Sequence, residues 1–198
     1  MYGSSVALGL GAFSRFAGGR QVGLWWTSTF SRMHIMISFD AGTHRFNLRA
    51  AAVIFQGAYV LLHRVDGDDF WSLPGGRVEP GEDAAKTAIR EMLEEVGASI
   101  QINKMLCVVE NFFSHKGQEN HEIGLYFTAS LVPGSPLLNL TTTHRGSEEG
   151  KGLTFSWFSR QRLSEIEMRP VCLRQLLQSD PIQLAHIVQR DSNFEISY

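Results

Sequence analysis

The segment at residues 76–98, GRVEPGEDAAKTAIREMLEEVGA, constrains this chain more than any other. It sets a glycine-rich turn ahead of a short helical pattern that carries carboxylates and Arg90 at fixed offsets. Glu91, Glu94 and Glu95 fall at i, i+3 and i+4, a spacing that a helix gathers on one side. Ala85, Ala88, Ile89, Met92 and Val96 repeat at core spacing on a different side. Asp83 is placed to cap the helix at its start, and Gly97 to end it in the left-handed conformation. Three carboxylates this close repel one another unless positive charge lies among them. Arg90 supplies one such charge, and a hard divalent cation with oxygen ligands is the natural supplier of the rest.

A solvated helix face, with Arg90 bridging to Glu94, would also tolerate these charges. That reading explains neither the glycines nor the apolar lead-in Trp71-Ser72-Leu73-Pro74-Gly75. The pattern runs Gly76, five residues, Glu82, seven residues, Arg90-Glu91, Met92, Leu93, Glu94-Glu95, Val96, Gly97 and a small apolar Ala98. Position by position, it resembles the signature of the Nudix hydrolases. The resemblance implies a Nudix-type α/β/α sandwich with a mixed β-sheet and a metal-dependent attack on a phosphoanhydride.

Bulk properties agree with an ordinary globular domain. The 198 residues are 43% hydrophobic and carry a net charge of −2, which gives no reason to expect a nucleic-acid surface or a polybasic membrane patch. No apolar run approaches membrane-spanning length. Cys107 and Cys172 stand far apart without metal-binding spacing, as reduced, partly buried thiols of an intracellular protein do. These features point to the cytoplasm. An organelle is the alternative if the N-terminal extension is a presequence.

That extension, residues 1–39, contains no Asp or Glu, has Arg15, Arg20 and Arg32, and is rich in Ser and Gly. Its composition fits a targeting peptide, or a stretch upstream of a true start at Met33 or Met36. Either origin makes it a poorly ordered extension outside the domain, although Trp25, Trp26 and Phe30 argue against pure disorder. The domain itself is expected over residues 46–178, with residues 179–198 as a C-terminal tail.

Within the domain, residues 49–65 read as two apolar strands broken by Gln56-Gly57. Residues 71–73 read as a short strand leading into the Pro74-Gly75-Gly76 bend. Residues 100–110 and 122–132 read as strands joined by a polar loop at 114–121. A further strand covers 153–158, and a closing helix covers 169–178 with Pro170 in its first turn.

The charges and the resemblance converge on hydrolysis of a phosphoanhydride. A diphosphate repels incoming nucleophiles, and Mg²⁺ or Mn²⁺ held by carboxylates would neutralise it and activate a water. Glu91 and Glu95 are the expected primary metal ligands. Glu94 is expected as a further ligand or as the group that takes the water's proton. The resemblance implies that the Gly76 carbonyl joins the metal shell, a role suited to glycine's close backbone approach. Arg90 is expected to orient the carboxylates, Glu82 to brace the loop against the helix, and Gly97 to end the helix.

The resemblance implies that the general base is a box glutamate or an acid from a downstream loop or strand, for which Glu110, Glu119, Glu122, Glu148 and Glu149 are the candidates outside the box. Glu122 leads, because it ends a polar loop just before the strand IGLYFTASL. Phe112, Phe113 and His115 lie where a base could stack, though aromatic residues beside a strand also serve as core. The expected substrate is a small-molecule nucleoside diphosphate linked to another group, such as a (deoxy)nucleoside triphosphate or a nucleotide sugar. Residues 98–131 lack the proline typical of one ADP-ribose-cleaving subgroup, and no coenzyme-A motif precedes the box. Specificity in this fold lives in loops and often across a dimer interface, so a homodimer is one arrangement the resemblance allows. The alternative class is a nucleotide-binding or regulatory module without catalysis, which by analogy would have lost box carboxylates.

Overall fold

The run Ala50-Ala51-Ala52-Val53-Ile54 is buried along its whole length, as a strand covered on both faces is. A computed structural model describes residues 35–148, 150, 152–180, 182–191 and 193–198. In it this run lies at the heart of β2 (His44–Gln56). Ala51 and Val53 point into one apolar cluster, whereas Ala52 and Ile54 point into another. The same alternation continues in β3 (Tyr59–Val65), where Val60 and Leu62 join the first cluster and Leu61 the second.

Each cluster is closed by a helix. α1 (Ala84–Val96) contributes Ala88 and Met92 to the second cluster. α2 (Cys172–Gln178) contributes Leu173, Leu176 and Leu177 to the first. The two helices therefore cover opposite faces of one sheet, giving an α/β architecture of three layers.

The remaining strands are β1 (Ser38–Ala41), β4 (Gly75–Arg77), β5 (Ile100–His115), β6 (Gln118–Leu131), β7 (His144–Arg145), β8 (Leu153–Ser159), β9 (Ala185–Arg190) and β10 (Asn193–Ser197). Their order is β10-β9-β5-β6-β2-β3-β8-β7, with β1 and β4 also paired to β2. The sheet is mixed: β2 runs parallel to β6 and β5 parallel to β9, while the other pairings are antiparallel.

Several expectations need correction. Residues 179–198 are not a tail: β9 pairs with β5 and buries Ala185 and Ile187, and β10 pairs with β9. The buried Gln189 breaks the apolar alternation that would have marked β9 as a core strand. The expected boundary at residue 39 is also displaced. Ser38–Ala41 pairs with β2, and the Ile37 N–H donates to the Val78 carbonyl at 2.7 Å. The rest of the expected extension, residues 1–34, lies outside the described residues.

The loop expected at residues 114–121 is a tight turn at Lys116-Gly117, and β5 and β6 pair through most of that segment. The strand at residues 71–73 reduces to isolated bridges, Trp71 to Met168 and Ser72 to His63. The first of these bridges also shortens α2. The Arg169 N–H donates to the Trp71 carbonyl at 2.8 Å, so the chain is still extended there and the helix begins only at Cys172. Among the described residues no helix is long and apolar enough to cross a membrane.

Candidate active site

α1 forms as its sequence dictates. The Asp83 side chain accepts from the Lys86 N–H at 2.9 Å, satisfying one of the donors left open at a helix start. At the other end Gly97, at φ 66°, lets its own N–H reach the Leu93 carbonyl and that of Ala98 reach Met92. Its buried face differs from the expected one. Ala88 and Met92 are fully buried, but Ile89 is 36% exposed, and Thr87, Glu91 and Glu95 are buried instead. The helix is thus rotated toward its carboxylates. Glu91 and Glu95 are each 4% exposed, while the Glu94 side chain is 39% exposed.

Arg90 ties this face together. Nε donates to Glu82 Oε1 at 2.9 Å and Nη2 to Glu82 Oε2 at 3.0 Å. Nη1 donates to Glu91 Oε1 at 2.8 Å and to Glu94 Oε2 at 3.0 Å. Partial burial works against the guanidinium charge, but Glu82, Glu91 and Glu94 outweigh it and raise the Arg90 pKa. The same contact with Arg90 holds the Glu82 carboxyl below the usual range, with help from the Thr87 hydroxyl at 2.8 Å. Glu82 thereby links the loop after β4 to the helix.

β4 brings Gly76 against the helix. A Cβ at this position would overlap the Glu91 carboxylate where it now stands, so any other residue would push that carboxylate aside. Gly75, at φ 150°, is more tightly constrained, because a side chain there would strike backbone, the Ala50 carbonyl and the Ala51 Cα. On the far side of Glu95, His63 Nδ1 lies 3.3 Å from Glu95 Oε2. Both atoms are buried and neither has a hydrogen-bond partner.

Among the described residues no three His, Cys, Asp or Glu side chains form a ready-made metal cluster. The donor set nevertheless fits a hard cation: two buried carboxylates, an unsatisfied Glu95 oxygen, and a glycine backbone pressed against Glu91.

Glu91, Glu95 and Gly76 border a cavity of about 750 Å³ whose opposite wall sequence reasoning missed. Across four neighbouring strands, Asn47, Glu122, Asn111 and Gln189 stand in one register row, and three of them line the cavity. Arg49 and Arg77 add positive charge to it, and Asp191 comes from the chain following β9. Burial pushes the Glu122 carboxyl above its usual range, and the charges of Arg49 and then Arg77 pull it partly back.

Phe113 and His115 line the cavity as expected, and Phe70 meets His115 edge-to-face at 5.9 Å. The Arg169 guanidinium lies over Phe70 at 4.8 Å. Phe112 points the other way and stacks on His121 at 4.3 Å. Of the described base candidates Glu110, Glu119, Glu122 and Glu148, Glu122 alone lines the cavity, and Glu167 and Asp191 are further acids on its wall. Glu110 Oε1 accepts from His186 Nε2 at 2.8 Å on an exposed face, and Glu119 is exposed. Glu148 is half-buried in the loop beside the end of α1, and Glu149 lies outside the described residues. Period and composition carry no signal for Arg49, Asn111 or Gln189, since strand register alone brings them together.

Comparison with known proteins accords with this geometry. A family model described as the NUDIX domain matches residues 45–178. The chain is 30% identical over 103 residues to the "Putative ADP-ribose pyrophosphatase YjhB" of Bacillus subtilis (strain 168), covering 52% of this chain and 49% of that protein. It is 28% identical over 90 residues to the asymmetrical bis(5'-nucleosyl)-tetraphosphatase of Mus musculus, covering 44% of this chain and 59% of that one. The chain spans about half the length of the first of these relatives. The solved MutT protein of Bacillus halodurans matches 76% of this chain and 97% of its own with a TM-score of 0.52 at 17% identity, a likeness of fold. With its central domain matched from residue 45 to residue 178, the chain belongs to the NUDIX domain family.

Proposed function

We propose that this protein hydrolyses a phosphoanhydride bond in a nucleoside diphosphate linked to another group, such as a nucleoside triphosphate or a nucleotide sugar. The observation that carries the proposal is the buried pair Glu91 and Glu95 set against the Gly76 backbone at the edge of a cavity that holds arginines and aromatic rings. Glu91, Glu95 and the Gly76 carbonyl would hold Mg²⁺ or Mn²⁺, with the exposed Glu94 as a further donor. The chemistry supplied by such an ion when bound is neutralisation of diphosphate charge and activation of water.

The remaining work falls to side chains of this chain. Arg49 and Arg77 attract the diphosphate into the cavity and offset its charge. Phe70, Phe113 and His115 offer flat faces to a nucleobase. Glu122 takes the proton of the attacking water on a carboxylate oxygen, its raised pKa making it a stronger base than an exposed glutamate. Arg90 and Glu82 hold the carboxylates in place throughout.

A panel of nucleoside triphosphates, dinucleoside polyphosphates, ADP-ribose and nucleotide sugars, incubated with Mg²⁺ or Mn²⁺, tests the proposal through product identification. Release of a nucleoside monophosphate or pyrophosphate by wild type, and its loss in Glu95→Gln, is expected. Equal inertness of both proteins across the panel would sink the hydrolase reading in favour of a binding module.

A further inference from the structure

Beside α1, two buried polar atoms face each other unsatisfied. Nδ1 of His63 lies 3.3 Å from Oε2 of Glu95, and both side chains are 5% exposed. Neither atom makes a hydrogen bond, although buried polar atoms almost always do. The two atoms stand at ion-pair distance without hydrogen-bond alignment, so the contact does not account for their burial.

The imidazole is held in this place. His63 exchanges both backbone hydrogen bonds with Ser72 at 2.9 Å, and β3 pairs it with Phe155 of β8. Its ring rests against the Phe155 ring at 5.5 Å. His63 is also among the residues that line the cavity bordered by Glu91, Glu95 and Gly76. The distance itself is informative. Two donor atoms that share one cation stand about this close together.

We propose that His63 Nδ1 is a nitrogen donor to the divalent cation held by Glu95, and that it shifts the preference of the site from Mg²⁺ toward Mn²⁺. The proposal rests on the reading of Glu95 as a metal ligand. Mg²⁺ favours oxygen donors and gives up its waters reluctantly, whereas imidazole is a donor for transition metals. A site of carboxylates alone would not draw this distinction. His63 and Glu95 would donate to the same cation, with Glu91 as a further protein donor.

The test uses the full chain stripped of metal, with Mn²⁺ as the probe. Pulsed electron paramagnetic resonance of the Mn²⁺-loaded wild type should show hyperfine coupling to a directly bound ¹⁴N, and His63→Val should abolish it. Calorimetric titration should show Mn²⁺ affinity falling about tenfold or more in His63→Val. Mg²⁺ affinity should change by less than about twofold. The proposal is overturned if Mn²⁺ binds wild type without ¹⁴N coupling, or if the substitution weakens both metals equally. The wild-type spectrum decides the matter even if His63→Val fails to fold. Failure of wild type to bind either cation would overturn the metal-site reading as well, and so marks a different failure.

Discussion

Arg90 grips both carboxylate oxygens of Glu82, at 2.9 Å through Nε and at 3.0 Å through Nη2, leaving Nη1 for Glu91 and Glu94. One guanidinium thus joins the loop after β4 to the carboxylate face of α1. Replacing it leaves three carboxylates without their shared cation. Arg90→Ala should cost about 1–3 kcal/mol, measured by urea unfolding. Arg90→Lys should recover only part of this, because an ammonium cannot make the two parallel bonds.

Glu82 gives this bracket a pH dependence. Its folded-state pKa is lowered by Arg90, so its contribution is complete above the ordinary glutamate range and fades as pH falls through the lowered value. The stability gap between wild type and Glu82→Gln should be widest near neutrality and close in acid. A gap that stays constant down to about pH 3 would contradict the assignment.

Glu122 should behave in the opposite sense. Burial raises its pKa, so folding favours its protonated form, and stability declines as pH rises from the ordinary glutamate range through the raised value. Glu122→Gln should therefore be at least as stable as wild type at pH 8. Hydrolysis that needs the Glu122 carboxylate should rise with pH along a limb placed above the ordinary glutamate pKa. Arg49→Met should move that limb to higher pH, since Arg49 holds the group down. A pH–rate profile of wild type and Arg49→Met checks the position of the limb, and urea unfolding of Glu122→Gln at pH 8 checks the stability.

Gly76 and Gly81 separate crowding from backbone strain. Gly81, at φ 82°, has open space around its missing side chain, so Gly81→Ala should cost only about 1 kcal/mol of conformational strain. Gly76→Ala pushes on the Glu91 carboxylate and should lower both melting temperature and cation affinity. Calorimetry on both variants should rank Gly76→Ala well below Gly81→Ala in cation binding.

Much of this was legible in the sequence, and the failures have physical causes. The caps of α1, its carboxylates and the constraint on Gly76 are local, so spacing along the chain reveals them. Ile89 misled because periodicity gives the width of an apolar stripe without fixing which flank of it faces inward. The helix turned the flank bearing Glu91 and Glu95 toward the sheet, where Gly76 leaves room for a carboxylate. β9 was missed because its third inward residue is Gln189, whose carbonyl oxygen accepts from the Cys172 N–H at 2.8 Å. A polar residue satisfied by a distant helix start looks, in sequence, like solvent-facing chain.

Removing residues 180–198 tests that correction directly. The truncated chain would expose Cys107 and Val109 on β5 and leave the Cys172 N–H without its partner. We expect loss of cooperative unfolding, read by circular dichroism, where a true tail would leave the melting curve unchanged.

The pairing of β2 with four other strands has a kinetic consequence. β2 meets β3 and β4 within a short stretch of chain, so Gly76 can reach its position early, at little loop-closure cost. Its parallel pairing with β6 joins Asn47 to Glu122 and must wait for a far longer loop to close. The glycine side of the cavity is therefore assembled from neighbours and its polar wall from strangers. Substitutions at the β2–β6 seam should slow refolding more than equally destabilising ones at the β2–β4 seam.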